Sequence, residues 1–213
     1  MEPQGMHPCP TAIGCRVKSG WAVTVLLAGP KHSPRVLDRR RIELCDPAVP
    51  ETTQPYHAAL HTEQTDATAV KRLTRLVARC AHRSLADLVR AYRSMGYRPA
   101  RIGIVVGSLV DPDSIANQHI RAHAQEGRLF RTVVEAAARR HAIRPAVWLE
   151  RDVYAVAART LGGSPRRIRR AAAQLGRAVG RPWRAEEKMA AVGRLAGPRA
   201  ASFLRKTGGR TRA

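Results

Sequence analysis

Apolar runs broken at regular points divide this chain into strands first and helices later. Thr11 to Val17 and Trp21 to Leu27 are rich in β-branched residues, and Lys18-Ser19-Gly20 between them has the composition of a tight turn. Ala28-Gly29-Pro30 opens a polar loop through Pro34. Arg35 to Cys45 then alternates, with Val36, Ile42 and Leu44 against Arg39, Arg41 and Glu43, which predicts a third strand. Two short connections in a row imply an antiparallel meander.

Asp46 to Thr65 is rich in Pro and Thr and reads as loop, with a helical turn expected at Tyr56 to His61. From Asp66 onward Val70, Leu73, Leu76, Val77, Cys80, Leu88, Val89, Tyr92 and Met95 fall three or four apart, while Arg72, Arg75, Arg79, Arg83 and Arg90 lie mostly off that stripe. This is the pattern of a long amphipathic helix, stopped by Gly96 and Pro99. Arg101 to Val106 predicts a buried strand, and Asp111-Pro112-Asp113-Ser114 predicts the cap of a second helix running to about His141, weakened at Gly127. Ala146 to Leu149 predicts a fifth strand, and Asp152 to Leu161 a short helix. Ser164-Pro165 opens an arginine-coated helix to about Val179, Gly180-Arg181-Pro182 breaks it, and Ala185 to Leu195 forms the last helix. One domain over residues 11–196 is expected, with a flexible leader at 1–10 and a basic, disordered tail at 197–213.

With 213 residues and 44% apolar content, the chain is long enough to bury a core and is not a wholly disordered one. Its longest clean apolar run, Trp21 to Ala28, is of strand length, far below the roughly 18 residues of a membrane span, so no membrane partner is expected. Met1 to Pro10 carries Glu2 and no basic region of a secretory signal. Cys9, Cys15, Cys45 and Cys80 have no paired spacing, so they read as reduced thiols of a cytoplasmic protein. A formal net charge of +22 makes nucleic acid the expected partner. Aromatic content of 4% argues against a stacking platform for single strands, which leaves structured or double-stranded forms.

Three meandering strands followed by β-α-β require a mixed five-stranded sheet, three antiparallel strands and then parallel ones, flanked by helices. That order is joined by Ile13-Gly14-Cys15-Arg16-Val17-Lys18-Ser19-Gly20-Trp21-Ala22 in the first hairpin. It is joined too by Glu126-Gly127-Arg128-Leu129-Phe130 in the helix after the fourth strand, and by Trp183 to Val192 at the close. Together, over roughly residues 11–195, they resemble the ribonuclease H-like superfamily and, within it, the RuvC-type Holliday-junction resolvases. The resemblance implies an α/β fold and a homodimer. It also implies two divalent ions, Mg²⁺ or Mn²⁺, held between carboxylates that position a water and the scissile phosphate. The first of those acids would stand two residues after the strand glycine, where this chain has Arg16. The second falls near Gly107-Ser108, Asp111 and Asp113, and the last near Glu186 and Glu187.

A cation at the first station opposes metal binding by direct repulsion. The resemblance therefore implies a nucleic-acid-binding protein without the usual two-metal cleavage. One alternative is a metal-dependent endonuclease with a rearranged site drawn from Asp111 or Asp113, Glu126, Glu150 and Glu186 or Glu187. Another is a non-catalytic scaffold subunit of a nucleoprotein assembly.

Several groups carry two readings. Asp111 and Asp113 suit either metal ligation at the end of a strand or helix capping. His119, His123 and Glu126 share one helix face with Ile115, Phe130, Val133 and Ala137, as a hydrogen-bonded cluster, a substrate contact or a transition-metal site. His57 and His61 form a second such spacing in loop-like sequence. Lys18 and Ser19, with Arg16 behind them, suit a phosphate or an ordinary turn. Glu150 and Asp152 flank Arg151 as partners, caps or catalysts, while Tyr154 and Trp148 read as core or sheet-face aromatics. Arg166, Arg167, Arg169, Arg170 and Arg177, with Arg199, Arg205, Lys206, Arg210 and Arg212 in the tail, read as a phosphate-contacting footprint or a solvated face.

Overall fold

A computed structural model describes residues 10–59 and 62–197. Strands β1 (Thr11–Lys18) and β2 (Trp21–Ala28) pair antiparallel in unbroken register, from Thr11 opposite Ala28 to Lys18 opposite Trp21. Gly20 supplies the positive φ of 81° that closes this turn, and its carbonyl accepts the Leu44 N–H at 2.8 Å. Strand β3 (Arg35–Glu43) pairs with β2 across a bulge at Leu26/Leu27. A small separate hairpin follows, β4 (His57–Ala59) with β5 (Thr62–Glu63).

Helix α1 (Ala67–Ser94) starts where the Asp66 carboxylate accepts the Thr68 and Ala69 N–H groups at 2.8 and 3.2 Å. Then come β6 (Arg101–Val106), α2 (Gln118–Arg140), β7 (Arg144–Leu149), α3 (Val153–Leu161), α4 (Pro165–Leu175) and α5 (Ala185–Leu195). The main sheet has the order β3-β2-β1-β6-β7, with β6 parallel to β1 and β7 parallel to β6. It is the expected mixed five-stranded sheet.

The period-two alternation of the strands sorts its two faces. Ile13, Cys15 and Val17 of β1, with Ile102, Ile104 and Val106 of β6, meet Leu85, Leu88 and Tyr92 of α1 and Phe130 and Val134 of α2. Burial pushes the Cys15 thiol up to about 12, so it packs as a small apolar group. On the other face Val23, Val25 and Leu27 of β2 pack on Ala190 and Ala191 of α5, and Val105 and Trp148 pack against α3, α4 and α5. Helix α5 presses onto that face so closely that a Cβ on Gly14 would overlap the carbonyl of Ala190. A Cβ on Gly103 would overlap the carbonyl of Gly193.

The structure departs from the sequence expectations at several boundaries. No helical turn stands at residues 56–59: Pro50–Thr53 forms a 3₁₀ turn instead, and His57–Ala59 enters the hairpin. His61 lies outside the described residues. Asp111 caps only the 3₁₀ turn Pro112–Ser114, because Ile115 is extended (φ −106°, ψ 115°) and breaks the helix path. Helix α2 starts from a second cap, Asn117, whose Oδ1 accepts the Ile120 N–H at 3.0 Å. Helix α4 stops at Leu175 rather than near Val179. There the Trp183 indole N–H donates to the Ala172 carbonyl at 2.8 Å, and its ring lies where a Cβ of residue 176 would be. Strand β7 begins earlier than expected, at Arg144, since Pro145 is tolerated on an edge strand. The leader through residue 9 and the tail from residue 198 lie outside the described residues.

Candidate functional site

Arg16 stands near the end of β1 on the α5 side of the sheet, and its side chain is only 3% exposed. Nη1 donates to the carbonyls of Val17 at 2.9 Å and Val105 at 3.3 Å. Nη2 donates to the carboxylate of Glu150, which lies just past β7 and is 40% exposed. Burial lowers the Arg16 pKa from its ordinary value, and the charges of Glu150 and Glu186 pull it back up. An arginine remains a cation under such opposing effects.

This is the end of the sheet where Mg²⁺ or Mn²⁺ is implied by the family resemblance. The carboxylates near Arg16 are Glu150 and Glu186, and Glu150 is already engaged by its guanidinium. A divalent ion here would face a buried positive charge, so this arrangement does not fit a hard cation.

The remaining expected acids fall into separate groups. Glu187 accepts the Arg184 N–H at 2.8 Å and lies 3.8 Å from Arg39, so it caps α5. Asp111 accepts the Asp113 N–H at 3.3 Å and lies 3.5 Å from Arg128. Asp113 raises the Arg121 pKa through its charge, a smaller effect than that of Glu63. Glu126 lies on α2, on the opposite side of the sheet from Arg16. The sheet thus separates Glu126 from Glu150 and Glu186, the acids near Arg16.

Glu126 instead joins the histidines. Its side chain is 1% exposed, and burial raises its pKa while the hydrogen bond and charge of His57 lower it. His57 Nδ1 and Glu126 Oε1 are 2.7 Å apart, and His123 Nδ1 stands 3.6 Å from Oε2. His57 Nε2 lies 3.4 Å from His119 Nδ1, and His119 Nε2 lies 3.3 Å from His123 Nε2. The spacing of His119, His123 and Glu126 is legible in the sequence. His57, expected only to pair with His61, is brought in by the β4–β5 hairpin. The hairpin is also tied to α2 by a two-pronged ion pair, Arg121 to Glu63, at 3.1 and 2.6 Å.

Half-buried Lys18 and exposed Ser19 occupy the β1–β2 turn, and Lys18 has the same strand parity as Arg16. Arg166, Arg167, Arg169, Arg170 and Arg177 are all exposed. None of them pairs with a carboxylate among the described residues. Arg169 covers the Tyr154 ring at 4.9 Å, and the Tyr154 hydroxyl feels the charge of Glu150, so α4 adjoins the Arg16 site. Arg167 also lines a cleft of about 330 Å³ with Lys31 and His32, over an apolar floor that includes Ile168 and Leu195. A second groove, along Lys71, Arg72, Arg75 and Arg79 of α1, adds cationic surface that reads in the sequence only as a polar face. No helix among the described residues is long and apolar enough to cross a membrane.

No family model and no curated protein matches this sequence. Among solved structures, Thermus thermophilus RuvC is similar, with a TM-score of 0.52 and 10% identity over 87% of this chain and 92% of that one. T. thermophilus RuvC in complex with Holliday junction substrate is similar too, with a TM-score of 0.51 and 12% identity over 88% of this chain and 91% of that one. The fold is therefore ribonuclease H-like, of the RuvC kind.

Proposed function

We propose that this protein binds structured or double-stranded nucleic acid through the phosphate backbone and does not cut it by a two-metal mechanism. The observation that carries the reading is Arg16, buried against Glu150 at the sheet end and adjoined through Tyr154 by Arg169 of α4. Arg16 there takes up Glu150, an acid that a divalent ion would need, while the exposed arginines of α4 beside it attract a phosphate. Exposed arginines without carboxylate partners extend that attraction along α4 and into the cleft beside Arg167. The similar fold of a protein solved with a Holliday junction makes branched DNA the first ligand to try.

Fluorescence anisotropy with labelled four-way junction, duplex and single strand, at several KCl concentrations, tests this. Binding should fall steeply with salt, each phosphate contact adding about 0.9 to the log–log slope. Reversing charge with Arg167→Glu and Arg170→Glu should weaken junction and duplex binding severalfold at moderate salt. Binding that ignores salt, or no binding at all, would overturn the reading.

A further inference from the structure

We infer that His57, His119 and His123 form a binding site for a zinc-class divalent ion, with Glu126 as the positioning residue behind His57. The rings come from two distant segments, the β4–β5 hairpin and the start of α2, yet each offers a ligand atom within 4.8 Å of those of the other two. Imidazole nitrogens bound to a tetrahedral ion at about 2.0–2.1 Å stand about 3.3–3.4 Å from one another. His119 ligates through one nitrogen only: Nδ1 lies 3.4 Å from His57 Nε2 and Nε2 lies 3.3 Å from His123 Nε2, so either choice supplies one separation of that size, and the three ligand atoms together lie within 4.8 Å.

Glu126 gives the cluster its polarity. The His57 Nδ1–H donates to Oε1 at 2.7 Å, which leaves the Nε2 lone pair directed at His119. A buried carboxylate behind an imidazole fixes its tautomer and strengthens it as a ligand, the usual outer partner of a metal-bound histidine. Neutral imidazole donors suit zinc and its neighbours rather than Mg²⁺ or Ca²⁺, which prefer oxygen. The ion has a structural task as well. β4 and β5 form a two-stranded unit outside the main sheet, and such a hairpin is marginal alone. A metal bridging His57 to His119 and His123 would clip it to α2 beside the Glu63–Arg121 pair. The site lies across the sheet from Arg16 and does not depend on nucleic-acid binding.

The test uses the full chain without an affinity tag, dialysed against a chelator and then titrated with Zn²⁺ by calorimetry and with Co²⁺ by visible absorption. One ion per chain and the d–d bands of tetrahedral Co²⁺ are expected, with no competition from equimolar Mg²⁺. His123 is 49% exposed, so His123→Ala leaves the core intact and should weaken Zn²⁺ binding at least tenfold. Glu126→Gln keeps the shape and should weaken it about tenfold, within the range for outer-shell partners. Absence of stoichiometric Zn²⁺ binding, or an affinity unchanged in folded His123→Ala, would overturn the site. An affinity unchanged in folded Glu126→Gln would overturn the positioning role.

Discussion

Arg16 and Glu150 meet across the end of the sheet, one from β1 and the other from just beyond β7, with β6 between them. The guanidinium crosses β6 by donating to the Val105 carbonyl and ends on the Glu150 carboxylate. One side chain thus links three parallel strands where the resemblance implies a pair of metal ions.

The pair should matter to folding. Glu150→Ala leaves a nearly buried guanidinium without its carboxylate, which in a fully buried pair costs several kcal/mol. Because Glu150 is 40% exposed, water recovers part of the loss, and a cost of about 2 kcal/mol is expected from urea denaturation. An unchanged midpoint would mean that Arg16 is held by its carbonyl contacts alone.

Two glycines separate backbone packing from helix propensity. Gly14→Ala must push α5 off β1 and should cost about 3 kcal/mol or more, the range of severe core overpacking. A Cβ added to Gly127, inside α2, would meet nothing within 4 Å, so Gly127→Ala should stabilise by about 0.5–1 kcal/mol. Thermal unfolding of both variants checks the opposite signs.

The strand pattern from Thr11 to Cys45 and the runs at Ile102 to Val106 and Ala146 to Leu149 place all five strands of the main sheet, because burial on alternating or continuous faces leaves a direct imprint. The helix with His119, His123 and Glu126 on one face is legible for the same reason. The arrival of His57 is not, since a three-residue strand has no period to read and its partner is 69 residues away. The start of α2 is missed in the sequence, because Asp111 is a competent cap and only the extended Ile115 shows that its turn ends before Asn117 opens the helix. Nor does spacing in the chain reveal that Arg16 and Glu150 touch, 134 residues apart.

Stability should decline on acidification in two stages. Burial, then the charges of His82 and Arg93, lower the His141 pKa below its ordinary 6.5. The unfolded chain therefore binds more protons just below pH 6.5, and stability is lost as pH falls through that window. The hydrogen bond from Arg121, opposed in part by burial, holds the Glu63 carboxyl below its ordinary 4.5. Its contribution is full above that value and is lost as pH falls through the lower folded pKa. Melting temperature against pH should lose its upper step in His141→Gln and its lower step in Glu63→Gln; identical profiles in both variants would contradict the assignment.

Strand scission tests whether Arg16 has displaced two-metal cleavage. Labelled four-way junction and duplex, saturated with the protein, are incubated for hours with Mg²⁺ or Mn²⁺ and resolved on a denaturing gel. Intact strands are expected in every lane while the complex persists. Metal-dependent products that disappear in Glu186→Gln or Asp113→Asn would contradict this and restore the rearranged nuclease.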